Sequence, residues 1–182
     1  MTNGDQHITH ELAAWLRAQR MFFVATAPLA GDGHVNCSPK GGDTFRVLDA
    51  TTVAYQDLTG SGAETIAHVR ENGRIVLMFC AFDGPPKIVR LHGTGEVILS
   101  DHQDFTSLIG LFPANPGTRT VIRVIVSRVS SSCGFGIPLL DYQGERGVLD
   151  IWAEKKGADQ LRSYRRTKNA RSIDGLPALD EP

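Results

Sequence analysis

Three polar segments that contain glycine interrupt the apolar stretches of the chain, and they carry the residues best suited to chemistry. The first is the run Asn-Cys-Ser-Pro-Lys-Gly-Gly at residues 36–42. Its Ser38 hydroxyl, Lys40 ammonium and the backbone N–H groups around Gly41 could together hold a phosphate or the edge of a flavin ring. A strand end followed by an exposed turn explains the same residues without a ligand. Composition alone leaves both interpretations open.

The second segment, Asp-Leu-Thr-Gly-Ser-Gly at residues 57–62, precedes a predicted helix. The N-terminus of a helix attracts anions, because its first backbone N–H groups are unpaired and the helix dipole is positive there. Glu64 in the first turn would repel a phosphate at this position. Ser61 and Glu64 also have the spacing of a capping box, in which the two side chains cap the helix without a ligand. An anion site and a plain helix cap are both compatible with this segment.

The third segment, Ser-Ser-Ser-Cys-Gly-Phe-Gly-Ile-Pro at residues 130–138, follows the last predicted strand. Its glycines permit a close approach of the backbone to another surface. Cys133 could be a reactive thiol, but the sequence places no basic residue beside it, so we expect a buried structural cysteine. The chain contains no Gly-x-Ser-x-Gly elbow, and nothing in it indicates a Ser-His-Asp triad.

Charge and composition exclude several classes of protein. The 182 residues include 19 Lys and Arg against 20 Asp and Glu, and this balance argues against nonspecific nucleic-acid binding. The longest apolar run is far shorter than the roughly 20 residues of a membrane span, and no signal peptide is recognisable. The 3 cysteines are widely spaced, which predicts neither a disulfide framework nor a metal site. We therefore expect a cytosolic globular protein with no membrane, nucleic-acid or metal partner.

The hydrophobic pattern predicts a helix, four short strands, a helix, two long strands, a short helix, a strand and C-terminal helices. The strands are predicted at residues 21–26, 34–38, 45–48, 52–56, 74–82, 88–99 and 120–129. Pro39 is expected to end the second strand, and the glycines at 93 and 95 predict a bulge in the sixth. Thr9 is expected to cap the first helix, and the later helices are predicted at 63–72, 101–111, 148–156 and 159–168. Antiparallel strands joined by tight turns favour a barrel with peripheral helices.

Two further groups of residues have simple structural interpretations. Cys80 lies in an apolar run and is expected to be a small core residue. A basic cluster near the C-terminus is expected to form a solvated helix face, with Leu161 and Tyr164 turned inward. That cluster consists of Arg162, Arg165, Arg166, Lys168 and Arg171.

The stretch from Phe22 to Ile98 resembles the flavin-binding split-barrel superfamily, which includes the pyridoxamine 5′-phosphate oxidases. The resemblance is carried by Val-Ala-Thr at 24–26, Asn-Cys-Ser-Pro-Lys-Gly at 36–41, Val-Ala-Tyr-Gln-Asp at 53–57, Glu-Asn-Gly-Arg at 71–74 and Ile-Val-Arg-Leu-His-Gly at 88–93. Beyond this stretch, residues 132–138 and 168–177 look like a subgroup of oxidase-like proteins. Together these segments extend over nearly the whole chain.

The resemblance implies a mainly β (α+β) fold, a six-stranded antiparallel split β-barrel with peripheral helices. It implies one domain over residues 1–182, with a barrel core at about 20–130 and a C-terminal helical extension at about 141–182. It also implies an FMN-dependent oxidoreductase that acts on a small molecule, as a homodimer with the cofactor at the subunit interface. The cofactor-binding residues it implies are Ser38, Pro39, Lys40, Gly41, Asp57, Ser61, Gly62, Glu64 and Thr65, with Lys87 and Arg90 as further candidates for the phosphate.

The chain departs from the true oxidases at three places, one of which is their arginine-containing C-terminal substrate signature, which it lacks. They carry an arginine at the position of Asn36 and a basic run where this chain has Ala-Glu-Thr at 63–65. Pyridoxamine phosphate is therefore not the predicted substrate, and no substrate is assigned. Related split barrels also hold haem or deazaflavin, so these remain alternative cofactors. His68 and His92 would be the candidate axial ligands of haem. Each of them could equally be an ordinary surface or capping histidine. A dimeric interaction module without a cofactor is the third possibility.

Overall fold

The computed structural model describes residues 7–179. The helices are α1 (His10–Ala18), α2 (Glu64–Asn72), α3 (Phe105–Ile109) and α4 (Val148–Lys168). The strands are β1 (Met21–Thr26), β2 (Asn36–Gly41), β3 (Phe45–Val47), β4 (Thr52–Leu58), β5 (Arg74–Cys80), β6 (Ile88–Ile98) and β7 (Thr118–Ser132). Over this range no helix has the length and apolar character needed to cross a membrane.

All the strands join one antiparallel sheet in the order β2-β1-β5-β6-β7-β4-β3. The predicted mainly β, split-barrel fold with peripheral helices is confirmed. The sheet has 7 strands rather than the six of the predicted barrel. The short β3 is the strand at one edge, where Phe45 pairs with Tyr55 of β4 and buries its ring in the core.

Aromatic side chains from distant strands meet in the core. Phe22 of β1 and Phe79 of β5 pack against Phe45 of β3, and Tyr55 of β4 contacts Phe22, with ring centroids 4.9–5.7 Å apart. The strands β1 and β5 lie near one end of the sheet, whereas β3 and β4 lie at the other. The contacts therefore require the sheet to curl until its two ends approach each other.

Several local predictions are confirmed. The Leu12 backbone N–H donates to Thr9 Oγ1 at 3.1 Å, so Thr9 caps α1. The helical path of α4 is interrupted at Gly157, where φ is 69°, between the two helices predicted there. The pairing of β6 with β7 shifts register between His92 and Gly93, at the predicted bulge. A Cβ atom on Gly93 would overlap the carbonyl oxygen of Ile125 in β7, so only glycine lets the two backbones approach this closely.

Other local predictions are wrong. Pro39 does not end β2: it pairs with Phe23 and the strand continues to Gly41. Because β2 lies at the sheet edge, the missing N–H of proline removes no necessary ladder bond. The helix predicted at 101–111 is helical only over Phe105–Ile109, because turns occupy the residues on both sides.

The predicted capping box at the start of α2 is also wrong. Ala63 occupies the N-cap position, and no side chain caps the helix. The Glu64 carboxylate instead accepts a hydrogen bond from the backbone N–H of Ile173, at 3.3 Å. A contact with a distant segment has replaced the local cap that the Ser61–Glu64 spacing predicts.

The segment after α4 returns to the barrel. Ala178 and Leu179 are buried, and Asn169 Nδ2 donates to the carbonyl oxygen of Gly60 at 2.9 Å. Leu161 is buried as predicted, and Tyr164 packs edge-on against Trp152. The basic cluster is not wholly solvated as predicted, because Arg165 is drawn into the structure and donates to Thr59 Oγ1 and to the carbonyl oxygen of Thr118. The described part of the C-terminal segment therefore holds the loop after β4 in place.

Candidate functional site

A cleft of about 1050 Å³ lies between β2, at one edge of the sheet, and the loop that follows β4 near the other edge. The N-terminal end of β7, the irregular segment 140–147 and the first turn of α4 complete its walls. Many of the residues singled out from the sequence meet here: Ser38, Pro39, Lys40, Gly41, Gly62, Glu64 and Thr65. Residues from two of the three glycine-containing segments thus share one concave surface.

The other predicted site residues do not line the cleft. Asp57 is fully buried behind its wall, and Ser61 is absent from the lining. The Lys87 ammonium lies 4.7 Å from the centre of the Trp15 ring, and Arg90 donates to Ser132 Oγ at 3.3 Å. The structure does not bring Lys87 and Arg90 to the cleft as candidates for the phosphate.

Several residues at the cleft were not found from the sequence, among them Arg20, Arg119, Tyr142 and Glu145. Arg119 lies one residue before the strand predicted at 120–129, so that strand assignment left it out. Arg20 lies against the ring of Tyr142, whose hydroxyl donates to Glu145 at 2.7 Å. The segment that carries Tyr142 and Glu145 has no periodic pattern, and its sequence therefore contains no signal of where it lies.

A buried carboxylate holds two cations at the cleft. Lys40 Nζ lies 2.8 Å from Asp57 Oδ1, and Arg119 Nε binds Asp57 Oδ2. Burial alone would raise the pKa of Asp57, but the Arg119 guanidinium and the Lys40 ammonium lower it to about 2. Arg119 also donates to the carbonyl oxygen of Gly62 at 2.8 Å. Since Asp57 stays ionised near neutral pH, it ties β2 to β4 across the opening of the curled sheet.

A chain of polar side chains lies behind the same wall. Asn36 connects Ser38 and Thr65, and it also reaches Thr26, whose Oγ1 lies 2.9 Å from His68 Nδ1. The His68 side chain has no exposed surface. Burial lowers the pKa of His68 below its ordinary value of 6.5, so the ring is neutral at pH 7. The interpretation of His68 as an ordinary surface or capping histidine is wrong. The side chain lies inside the barrel and pairs there with Thr26.

The Glu64 carboxylate lies at the N-terminus of α2. A Cβ atom on Gly62 would collide with a carboxylate oxygen of Glu64, so this carboxylate lies against the glycine loop. The cleft lining carries more carboxylates than cations. The carboxylates are those of Asp43, Glu64, Asp83, Asp141, Glu145 and Asp150, and the cations are those of Arg20, Lys40, Arg119 and Arg146. This charge disfavours a phosphate at the helix N-terminus, the position that the resemblance implies.

The donor set of the cleft nevertheless suits a planar molecule with a polar edge. A hydroxyl at Ser38, an ammonium at Lys40 and a hydroxyl at Thr65 share the wall with apolar groups of Met21, Leu58 and Phe82. The volume reaches the upper end of the roughly 300–1,000 Å³ typical of sites for ligands of cofactor size. A flavin ring therefore fits the residues present.

The cysteines and histidines contribute little to this cleft. Cys80 is buried, as predicted, whereas Cys133 is exposed rather than buried. Neither His68 nor His92 is part of the lining. Between residues 7 and 179 no group of three or more His, Cys, Asp or Glu side chains is arranged to hold a metal ion.

Comparison with known proteins gives a consistent family. The family model described as pyridoxamine 5′-phosphate oxidase matches residues 8–133. The pyridoxamine 5′-phosphate oxidase family protein ustO of Aspergillus flavus is 40% identical over 191 residues, an alignment that covers 96% of this chain and 76% of that protein.

Solved structures share the fold. HupZ of Group A Streptococcus aligns with a TM-score of 0.54 and 22% identity, covering 69% of this chain and 94% of that one. A Lactobacillus delbrueckii structure, reported as a candidate pyridoxamine 5′-phosphate oxidase, aligns with a TM-score of 0.54 and 19% identity. That alignment covers 69% of this chain and 95% of the other.

Proposed function

Because this chain belongs to the pyridoxamine 5′-phosphate oxidase family, we propose that it is a flavin-dependent oxidoreductase that binds FMN in the cleft beside β2. The observation that supports this proposal is the convergence of Ser38 and Lys40 of β2 with Thr65 of α2 on one wall. A bound flavin supplies hydride transfer, which requires no nucleophile from the protein. The substrate is a small molecule that enters the same cleft.

The proposed roles of the residues follow from their positions. Ser38, Lys40 and Thr65 hydrogen-bond the polar edge of the ring, while the backbones at Gly41 and Gly62 leave room beside it. Asp57 and Arg119 do not touch the ligand in this proposal; they hold Lys40 and the Gly62 loop in place. None of the residues that line the described cleft is a histidine, and for this reason we propose flavin rather than haem.

We also propose that the working unit is a homodimer whose second subunit completes the cleft. Large apolar side chains are exposed along the segment that forms one wall: Phe135 by 81%, Leu139 by 78% and Val148 by 72%. Large apolar side chains exposed together in one segment are what a protein partner commonly covers. Since the same segment continues into the lining at residues 140–150, a partner that covers it would also border the ligand.

The visible absorption spectrum of the purified protein, before and after incubation with FMN, tests the proposed cofactor. We expect the two visible bands of an oxidised flavin to remain with the protein after gel filtration. A protein that stays colourless after incubation with FMN would contradict the proposal. A Soret band after incubation with haem, or retention of a deazaflavin in preference to FMN, would instead support one of the alternative cofactors.

The carboxylate of Glu64 leads to a prediction about the phosphate of FMN. Glu64→Gln removes the negative charge beside Gly62 and keeps the shape of the side chain. We expect FMN to bind roughly twofold to fivefold more tightly, because the variant removes the repulsion between this carboxylate and the phosphate, and one charge at a helix N-terminus contributes about 0.3–1 kcal/mol. Riboflavin, which has no phosphate, should bind with unchanged affinity. Quenching of flavin fluorescence measures both dissociation constants.

Asp150→Asn is the matched control for Glu64→Gln, because Asp150 lines the same cleft from the first turn of α4 and accepts a hydrogen bond from Asn115. It should change the ratio of FMN to riboflavin affinity by much less. Equal changes for FMN and riboflavin in Glu64→Gln would show that this carboxylate does not face the phosphate.

A further inference from the structure

Gln56 of β4 is a buried polar residue of the cleft, on a wall that the proposed contacts with the flavin do not use. It belongs to the lining although it is only 3% exposed. Its Nε2 donates to the carbonyl oxygen of Pro113 at 3.2 Å and to Thr118 Oγ1 at 2.8 Å. Both partners can only accept, because a carbonyl has no hydrogen and Thr118 gives its own to the carbonyl oxygen of Asn115. These bonds fix which end of the amide is the nitrogen.

The amide oxygen of Gln56 is left for a ligand. Within the described residues, the buried polar atoms that lack a hydrogen-bond partner are Tyr55 Oη, His68 Nε2 and Asn169 Oδ1. Gln56 Oε1 is not one of them, although no described group donates to it. The atom is therefore accessible from the cleft that Gln56 lines, where it can accept a hydrogen bond.

Thr44 gives the same wall a second acceptor. The Gln56 backbone N–H donates to the carbonyl oxygen of Thr44 at 2.8 Å, so the two residues are neighbours. Thr44 is 8% exposed and also lines the cleft. Its Oγ1 donates its single hydrogen to the carbonyl oxygen of Gly41, at 2.8 Å. A hydroxyl that has given away its hydrogen can only accept from a ligand, so Thr44 and Gln56 present two acceptors and no donor.

Asp150, in the first turn of α4, adds a carboxylate to this part of the lining. Its Oδ1 accepts from Asn115 Nδ2 at 2.8 Å, which leaves Oδ2 for a ligand. The carbonyl oxygen of Asn115 accepts from Thr118 Oγ1, and Thr118 Oγ1 accepts from Gln56. This chain of hydrogen bonds places the carboxylate on the same side of the cleft as the Gln56 amide.

The charge of the cleft also favours a cationic ligand. The carboxylates of the lining outnumber its cations, and two of those cations, Lys40 and Arg119, are bound to Asp57. The charge left over is negative, so it attracts a positively charged molecule to the cleft. The acceptors of Gln56 and Thr44 then favour a cation that carries hydrogens on its charged atom.

We propose that the substrate carries a primary ammonium group, which binds between Gln56 Oε1, Thr44 Oγ1 and the Asp150 carboxylate. The inference rests on the proposed function and goes beyond it, because it names the substrate class and a recognition site apart from β2 and α2. An ammonium has three hydrogens and no acceptor, which complements three acceptors.

The ammonium serves recognition rather than oxidation. A carboxylate beside an amine favours its protonated form. A protonated nitrogen has no lone pair to assist the loss of a hydride from the neighbouring carbon. The carbon that is oxidised is therefore one that is not attached to this nitrogen.

Two small cations test the site in the purified full-length protein without added flavin. Butylammonium carries three N–H groups, whereas butyltrimethylammonium has the same charge and no N–H group. We expect the wild-type protein to bind butylammonium at least about tenfold more tightly, the value of one hydrogen bond to a charged group. In Gln56→Met the buried acceptor is gone, so this preference should fall below about threefold. Isothermal titration calorimetry measures the dissociation constants.

Thr44→Val and Thr44→Ser test the second acceptor. Valine removes the hydroxyl with little change in shape, and serine retains it. The preference for butylammonium should fall in Thr44→Val and stay at the wild-type value in Thr44→Ser. Circular dichroism shows whether each variant is folded. Should Gln56→Met fail to fold because Pro113 and Thr118 lose their donor, the two Thr44 variants decide the question alone.

Asp150→Asn should weaken the binding of both cations roughly twofold to fivefold, as expected for the loss of an exposed charge pair. Asp159→Asn is the matched control, because it removes a carboxylate from the same helix whose side chain is 96% exposed and does not line the cleft. This variant should bind both cations like the wild type.

The failure of this site and the failure of the proposed function give different results. Equal affinity of the wild type for the two cations would overturn the ammonium site and leave the proposed flavin binding standing. A preference that survives in folded Gln56→Met and Thr44→Val would overturn the site as well. A protein that shows the expected preference but retains no FMN would support the ammonium site and refute the proposed cofactor.

Discussion

Replacing Asp57 with asparagine should lower the free energy of unfolding by about 3–5 kcal/mol, because it leaves Lys40 and Arg119 without their shared carboxylate. Asp57 has no exposed surface, so water cannot take over its role. For a protein of this length the loss corresponds to a fall in melting temperature of roughly 10 °C. Urea unfolding followed by circular dichroism measures the free energy directly.

The same carboxylate predicts a pH dependence of stability. The pKa of Asp57 is lowered from its ordinary value of 3.8 to about 2, so the folded protein favours the ionised form more strongly than the unfolded chain does. The stabilisation is fully present above about pH 4 and is lost as the pH falls towards 2, a change of about 2 kcal/mol. The stability of Asp57→Asn should lack this contribution over that interval.

Asp43→Asn provides the comparison for Asp57→Asn. Asp43 also forms an ion pair with an arginine, Arg46, but its side chain is 66% exposed. An exposed pair contributes about 0–1 kcal/mol, so this variant should remain close to the wild type in stability. If both variants lost the same free energy of unfolding, burial of Asp57 would not explain the strength of its ion pairs.

Gly93→Ala should be the second strongly destabilising substitution, with a loss of about 3 kcal/mol in the free energy of unfolding. The new methyl group would overlap the carbonyl oxygen of Ile125, which belongs to the backbone of the neighbouring strand. A backbone atom in a sheet cannot turn aside as a flexible side chain can, so β6 and β7 must separate at the bulge. Thermal unfolding and the soluble yield of the variant measure the effect.

Gly60→Ala is the control for this substitution. A Cβ atom on Gly60 would have no atom within 4 Å, so the added methyl should change stability by less than about 0.5 kcal/mol. A Gly93→Ala protein as stable as Gly60→Ala would mean that the two strands tolerate the methyl group, contrary to the geometry of the bulge.

Patterns confined to short segments of the sequence predicted the structure correctly. The apolar, β-rich run at residues 21–26 matches β1 from end to end, and Gly73, with φ of 72°, ends α2 where the Asn-Gly pair predicts. The first glycine-containing segment also led to Ser38 and Lys40, whereas Thr65 came only from the family resemblance. These patterns involve residues within a few positions of one another, so they survive in the folded protein.

The failures have long-range causes. The Ser61–Glu64 capping box is replaced because Ile173, far along the chain, takes the carboxylate. Arg119 reaches Asp57 because β7 pairs directly with β4, in a register that sets Asp57 opposite Thr120. Pro39 remains in a strand because β2 is an edge strand, and the pattern of a single segment does not reveal its place in a sheet. The cytosolic location expected from composition stays a prediction.

The order of the strands also governs when the cleft can form as the chain folds. β4 can pair early with the adjacent β3, but its longer pairing with β7 must wait until the chain beyond Thr118 is available. Pairings between segments so far apart close large loops and form slowly. The junction between Lys40 and Asp57 belongs to this late stage, because it needs both ends of the sheet in place. A molecule bound across that junction would therefore be held by the finished sheet alone, and partly assembled chains would have no affinity for it.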